Sequence, residues 1–235
     1  MSFDQKSADL AKDIMNQINP NLSDKFEMII LFLVHNPGAA SKVHRKSNIE
    51  IGSEEYIRQQ AGNFIRSREP RAPSPPSTIP DEIISLIINK YFDVPKHELE
   101  RAVELHNLSM GAENLVGDIL ERYIASIVEN YGWVWCSGSM IKAVDFIYRK
   151  PDGSWSSLQV KNRDNTENSS SSAIREGTEI NKWFRTFSKK KGDNWEKFPK
   201  IADANLSEEG FRRFVEEYLI SLKNSDYTKL PNLTS

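Results

Sequence analysis

The chain has 235 residues, 38% hydrophobic and 27% charged, with a formal net charge of −2 and a single cysteine, Cys136. That length can bury a core, the composition is that of an ordinary globular protein, and one cysteine excludes an intramolecular disulfide and fits a reducing compartment. The longest apolar run, Met28–Val34, is far short of the roughly 20 residues that span a bilayer, and the N-terminus lacks the basic-then-apolar order of a secretory signal. A cytoplasmic protein without membrane contact is expected.

Residues 1–66 read as a helical N-terminal region. Leu10, Ile14 and Ile18 recur at helical spacing, Leu22–Val34 is a mostly apolar helix stopped by Asn36-Pro37-Gly38, and Ser53-Glu54-Glu55 starts a helix ending near Ile65. His35 and His44 have no cysteine or acid at ligand spacing and read as surface or packing residues. Prolines at 70, 73, 75, 76 and 80 make residues 67–80 an extended linker, or an arm lying over a partner subunit or DNA. Residues 81–235 then form the principal domain. Pro80-Asp81-Glu82 opens a helix whose apolar face is Leu86, Ile87 and Phe92, and a second follows Pro95, with His97 and His106 again lacking co-ligands.

The longest helical pattern runs from Ser109 to Tyr131 and stops at Gly132. Its expected buried face is Leu115, Ile119, Leu120, Tyr123, Ile124, Ile127 and Val128. Glu113, Gly117 and Glu121 are four apart and share one side. They form an exposed acidic stripe or, because this helix leads straight into strands, place a carboxylate over a site.

Strands are expected at Trp133–Cys136 and Lys142–Lys150. Ala143–Asn162 reads as a β-hairpin turning at Pro151-Asp152-Gly153-Ser154. Asp145 and Lys161 are polar where a buried strand should be apolar. Gln159 and Lys161 point to the same face, and a hairpin that folds back brings Asp145 to both. A polar loop follows over 162–172, then a helix from about Ala173 to Phe187. An amphipathic helix from Ser207 to Leu222, with Phe211, Phe214, Val215 and Leu219 inward, precedes a loose tail after Asn224. Between Lys142 and Lys200 thirteen Lys/Arg face eight Asp/Glu, so the basic excess lies in the segment that carries these residues. That suits a phosphate-backbone substrate, as it would a merely solvated surface.

Phosphodiester hydrolysis needs an activated water and a stabilised anionic transition state, and a hard divalent cation supplies both. Asp145 is the natural metal ligand, with the Gln159 amide oxygen and the Val160 backbone carbonyl as further ligands. Lys161 is placed to position water and to stabilise charge on the phosphate. Glu121, or else Glu113, completes the set. Mg²⁺ is the expected ion, with Mn²⁺ as a substitute and no small-molecule cofactor.

Gly117–Glu121, Val144-Asp145 and Gln159-Val160-Lys161 together resemble the PD-(D/E)xK nuclease superfamily, with Val144 in place of proline and Gln159 in place of the acid. Glu113–Gly117, Val144–Phe146, Gln159–Arg163, Asn168–Ser172 and Arg175–Trp183 resemble the SinI-type restriction endonucleases, over roughly Gly111–Phe198. The resemblance implies an α/β (α+β) restriction-endonuclease-like core, a mixed sheet flanked by helices. It also implies a type II enzyme that requires Mg²⁺, cuts double-stranded DNA at GGWCC and leaves 5′-phosphates. A palindrome-like site is most simply cut by a homodimer. A structure-selective repair nuclease and an inactive DNA-binding module are the alternatives.

Arginine and lysine make the best bidentate contacts to guanine. Arg163, Arg175, Lys182 and Arg185 are therefore candidate DNA contacts. Asn162, Asn165 and Asn168 are candidates for further base edges, and Ser169, Ser170, Ser171 and Ser172 for phosphates. Phosphate positioning or plain surface is the alternative for each. Trp183 is expected to pack rather than stack on a base.

Overall fold

Local signals bound each of the opening helices. The computed structural model describes residues 3–43, 48–77, 79, 81–164 and 180–224. Helix α1 (Gln5–Ile18) begins with a capping box: the Asp4 carboxylate accepts from the Ser7 N–H, and the Ser7 hydroxyl receives the Asp4 N–H. Helix α2 (Ser23–His35) ends at Asn36, where Pro37 cannot continue it. Helix α3 (Glu54–Arg66) is capped by the Ser53 hydroxyl.

The chain divides into two compact units, residues 1–70 with 120–235, and residues 71–119. In the first, four strands form one sheet in the order β1-β2-β3-β4: β1 (Trp133–Trp135), β2 (Phe146–Arg149), β3 (Trp155–Arg163) and β4 (Ile180–Thr186). The first three are antiparallel and β4 runs parallel to β3, so the sheet is mixed, as expected. The β2–β3 hairpin turns at the expected residues. Lys150 donates its N–H to the Ser154 carbonyl, Asp152 caps Ser154, and Gly153 takes φ 84°, open to glycine at no steric cost.

Both faces of the sheet are covered. Val134 and Ile147 pack into the core built by Ala11, Ile14, Phe26, Ile30, Leu33, Ile57 and Phe64 of the N-terminal helices. The opposite face carries Trp135, Phe146, Leu158, Val160 and Trp183, all buried. The buried residues after it include Trp195, Phe198 and the inner side of helix α6 (Glu208–Lys223). Trp183 lies 4.7 Å from Trp195 and 4.9 Å from Phe198, ring centre to ring centre, and is packed as expected.

Four local expectations are corrected. The segment Lys142–Lys150 is strand only from Phe146: Ile141 makes an isolated bridge to Ala40, and Ala143 turns with φ 56°. Residues 180–186, expected as the end of a helix from Ala173, form β4, because β3 offers a parallel partner and β-branched and aromatic side chains fit a buried sheet. The two helices expected after Pro95 are one 30-residue helix, α5 (Leu99–Val128). The two interior glycines, Gly111 and Gly117, cost only about 1 kcal/mol each and do not break it. In α6, Tyr218 rather than Leu219 points inward.

The second unit holds the proline-rich stretch, helix α4 (Glu82–Tyr91) and the first two-thirds of α5. Gly111 meets that stretch closely: a Cβ there would lie 2.9 Å from the Pro75 nitrogen. Asp81 caps α4 through the Ile83 N–H. The expected apolar residues Leu86, Ile87 and Phe92 are exposed, and α4 buries none of its residues.

Candidate active site

Asp145 stands at the point where the β2–β3 ladder ends. Its N–H donates to the Leu158 carbonyl at 2.9 Å, and its carbonyl accepts from the Cys136 N–H at 2.8 Å. The last paired residues are Phe146 and Leu158, which leaves the Val160 N–H without a main-chain acceptor from β2. The Asp145 carboxylate takes that place, accepting from Val160 at 2.7 Å. The carboxylate is thereby fixed over the start of Gln159-Val160-Lys161. The chain that delivers it is pinned from the N-terminal helices. The Ser41 N–H donates to Met140, the Lys142 N–H to Ala39, and the Ser137 hydroxyl to the Phe64 carbonyl.

Burial dominates the electrostatics of Asp145 and pushes its carboxyl up to about 6, with the Val160 N–H and the Lys161 ammonium opposing. Gln159 is 2% exposed, and its Oε1 has no hydrogen-bond partner among the described residues. A buried amide oxygen left unmet costs free energy unless something accepts its lone pairs. An under-compensated carboxylate beside an orphaned neutral oxygen is a donor set that fits a hard divalent cation. Lys161, half-buried, follows on the same face of β3. Across the parallel pairing, Lys182 stands opposite Gln159, and Phe184 opposite Lys161.

Glu121 lies in the same unit as Asp145 and accepts from the Trp135 indole N–H at 2.9 Å through Oε2. Both carboxylates act on Cys136. Burial pushes its thiol well up, Asp145 adds to this, and Glu121 and Glu129 add further against Arg68. Glu113 belongs to the second unit, at an exposed position of α5.

The candidate DNA contacts divide. Arg185 donates to Asn162 Oδ1 from Nε and Nη2, at 3.0 and 2.9 Å, and to Glu208 at 2.7 Å, with its guanidinium over the Phe211 ring. Asn162 and Arg185 therefore clamp the end of β3 to β4 and to the first turn of α6. Arg163 is exposed at the end of β3. Asn165, Asn168, Ser169, Ser170, Ser171, Ser172 and Arg175 lie outside the described residues. The sequence reading passed over Glu208, which also accepts from the Trp195 indole, because nothing local marks it as Arg185's partner. It also missed a buried charge cluster. Arg68 pairs with Glu129 at 2.6 Å, Lys25 joins at 2.8 Å, and Arg122 donates to the Ser67, Arg68 and Glu69 carbonyls at the end of α3.

A four-stranded mixed sheet flanked by helices, with an aspartate and a Gln-x-Lys at one ladder end, is the α+β fold of restriction-endonuclease-like nucleases. The chain matches the SinI restriction endonuclease family over residues 7–221 and belongs to it. It is 51% identical over 224 residues to the type II restriction enzyme Eco47I of Escherichia coli, covering 94% of this chain and 97% of that protein. The identity to the type II restriction enzyme SinI of Salmonella infantis is likewise 51%, with the same coverage. The protein is a type II restriction endonuclease, a site-specific deoxyribonuclease. The match reaches through the N-terminal helices, well beyond the Gly111–Phe198 span of the sequence resemblance. Among the described residues no helix is long and apolar enough to cross a membrane.

Proposed function

We propose that this enzyme makes Mg²⁺-dependent double-strand cuts in DNA at GGWCC, leaving 5′-phosphates, as a cytoplasmic homodimer. The observation that carries the metal is the buried Gln159 Oε1, unpartnered among the described residues, beside the half-buried Asp145 carboxylate. The sequence specificity rests on the resemblance to the SinI-type enzymes and on the kinship to SinI itself.

Asp145, Gln159 Oε1 and the Val160 carbonyl would hold Mg²⁺, with Glu121 as the acid that joins them in preference to Glu113. Bound there, the ion would supply Lewis acidity and a lowered pKa for water. Asp145 must be ionised to take part. Lys161 orients the attacking water and donates to a phosphate oxygen as charge develops on it. Water adds to phosphorus in line and gives up a proton to solvent, the bond to the 3′ oxygen breaks, and that oxygen takes a proton from solvent and leaves as a hydroxyl. Lys182, opposite Gln159, and the exposed Arg163 contact the DNA backbone or base edges, together with Arg175, Asn165, Asn168 and Ser169–Ser172. Asn162 and Arg185 hold the strand that presents them.

Incubating the protein with a sequenced plasmid and Mg²⁺, and mapping every cut, tests this reading. Cuts confined to GGWCC are expected. Discrete cuts elsewhere would remove the specificity, and an intact plasmid with both Mg²⁺ and Mn²⁺ would remove the reading. Asp145→Ala and Lys161→Ala should each lower cleavage by about a hundred- to a thousandfold or more, given the usual weight of a charge-stabilising group. Circular dichroism should show the fold retained in both.

A further inference from the structure

Within the first unit, Trp135 ties β1 to α5 and to the end of α3, and it is 2% exposed. Its main-chain N–H donates to Glu129 Oε1 at 3.1 Å, and its carbonyl accepts from Arg68 Nη2 at 3.0 Å. Its indole N–H donates to Glu121 Oε2 at 2.9 Å. The Arg68 and Arg122 guanidinium groups stand 5.1 and 5.2 Å from a ring centre of the indole. Both are fixed elsewhere, Arg68 by Glu129, and Arg122 by the carbonyls of Ser67, Arg68 and Glu69. Held on its main chain and its ring, the indole has its N–H aimed at one place. Cations beside the ring polarise it and strengthen that N–H as a donor.

A buried indole needs an acceptor in any case, and Trp195 finds its own in Glu208, which already pairs with Arg185. What sets Trp135 apart is the position of its acceptor. Trp135 stands opposite Phe146 across β1 and β2, and the next residue, Cys136, donates its N–H to the Asp145 carbonyl at 2.8 Å. Two successive residues thus hold both acids of the candidate site, Asp145 by its main chain and Glu121 by its side chain. A glutamate side chain has three torsions to order before it can serve as a ligand, and a donor fixed on one carboxylate oxygen removes most of that freedom in advance. Metal-binding carboxylates depend on such partners: removing one typically costs about 10- to 100-fold in metal affinity.

We propose that Trp135 is a positioning residue for the metal site, holding the Glu121 carboxylate where it joins Asp145 on a divalent cation. This rests on the reading of Glu121 as the acid that completes the site, and adds the group that aims it.

Two measurements on the whole chain test it. The first is calorimetric titration with Mn²⁺, which the unmodified protein should bind. Trp135→Phe keeps a ring beside the guanidinium groups and removes the N–H, so Mn²⁺ affinity should fall by about 10- to 100-fold. Glu121→Gln should weaken binding as well, and Trp135→Phe added to it should change the affinity by no more than about twofold, because the two residues act as a unit. A tryptophan that served only to pack would add its full effect to that of Glu121→Gln. The second measurement needs no variant. Nuclear magnetic resonance of the unmodified protein should show the Trp135 indole N–H signal moving as Mg²⁺ is added, while that of Trp195, bound to Glu208, stays in place. Unchanged Mn²⁺ affinity in Trp135→Phe, an effect that adds in full to Glu121→Gln, or a Trp135 signal indifferent to Mg²⁺ would overturn the proposal and leave Glu121 in the site. An unmodified protein that binds no Mn²⁺, or Glu121→Gln binding it undiminished, would remove the metal role of Glu121 itself, and the proposal with it.

Discussion

Asp145 does two jobs that pull against each other. It completes the end of a β-ladder by accepting the Val160 N–H, and it holds a carboxylate where burial solvates it poorly, with its carboxyl pushed up to about 6. Because the folded value lies above the unfolded one, near 3.8, the ionised group destabilises the fold at neutral pH, and the penalty fades as pH falls through both values. Asp145→Asn keeps an acceptor for Val160 and removes the charge. In metal-free buffer at neutral pH it should therefore stabilise the protein by on the order of 1–3 kcal/mol, a rise of several degrees in Tm, while cleavage is lost. An unchanged or lower Tm for Asp145→Asn under EDTA would show that the site is not strained by its own charge. A second acid at Gln159 would add repulsion beside Asp145, whereas the neutral amide offers an oxygen without it.

At the scale of elements, the strands that carry the candidate site are held from behind by long-range polar contacts. Glu129, just past α5, would be raised by burial alone, but Arg68 and Lys25 hold its carboxyl below the ordinary range. Glu129 also accepts the Trp135 N–H of β1, while Arg122 satisfies the carbonyls left open at the end of α3. Glu129→Gln leaves the Arg68 guanidinium buried without a countercharge and should cost about 3–5 kcal/mol, measured by urea denaturation at pH 7. The depressed folded value means this stabilisation is present above the ordinary carboxylate range and lost as pH falls through the folded value. A cost below about 1 kcal/mol would reduce the cluster to an incidental ion pair.

For the whole molecule, the two titrations run in opposite directions and separate activity from stability. As pH drops from 7 towards 5, Asp145 takes up its proton and cleavage should fall while the fold is retained, with a midpoint below the metal-free value of about 6 when Mg²⁺ is bound. Only below the ordinary carboxylate range does the loss of the Glu129 cluster act on stability. Measuring the rate and the Tm on the same buffers across pH 4–8 tests this. Rate and Tm falling together would mean that acid inactivation is unfolding. Metal shifts the rate midpoint downwards, since an ion on Asp145 favours its charged form.

Much of this was written locally. The caps at Asp4, Ser53, Asp81 and Ser207, the turn at Pro151–Ser154 and the stop at Gly132, with φ 82°, depend on neighbours a few residues away, so the sequence determined them by itself. The approach of Asp145 to Gln159-Val160-Lys161 belongs in the same group, because a short hairpin leaves the chain few ways to fold back. The long-range pairings were decided only by the tertiary structure. β4 is a strand because β3 is there to pair with it, and Arg185 is a clamp because Asn162 and Glu208, each 23 residues away, converge on it. The Arg68–Glu129 pair joins residues 61 apart. Whether an apolar stripe such as α4's faces a core or the outside cannot be read from its spacing. Periodicity records which residues share a side, and burial depends on what the rest of the chain brings to meet them.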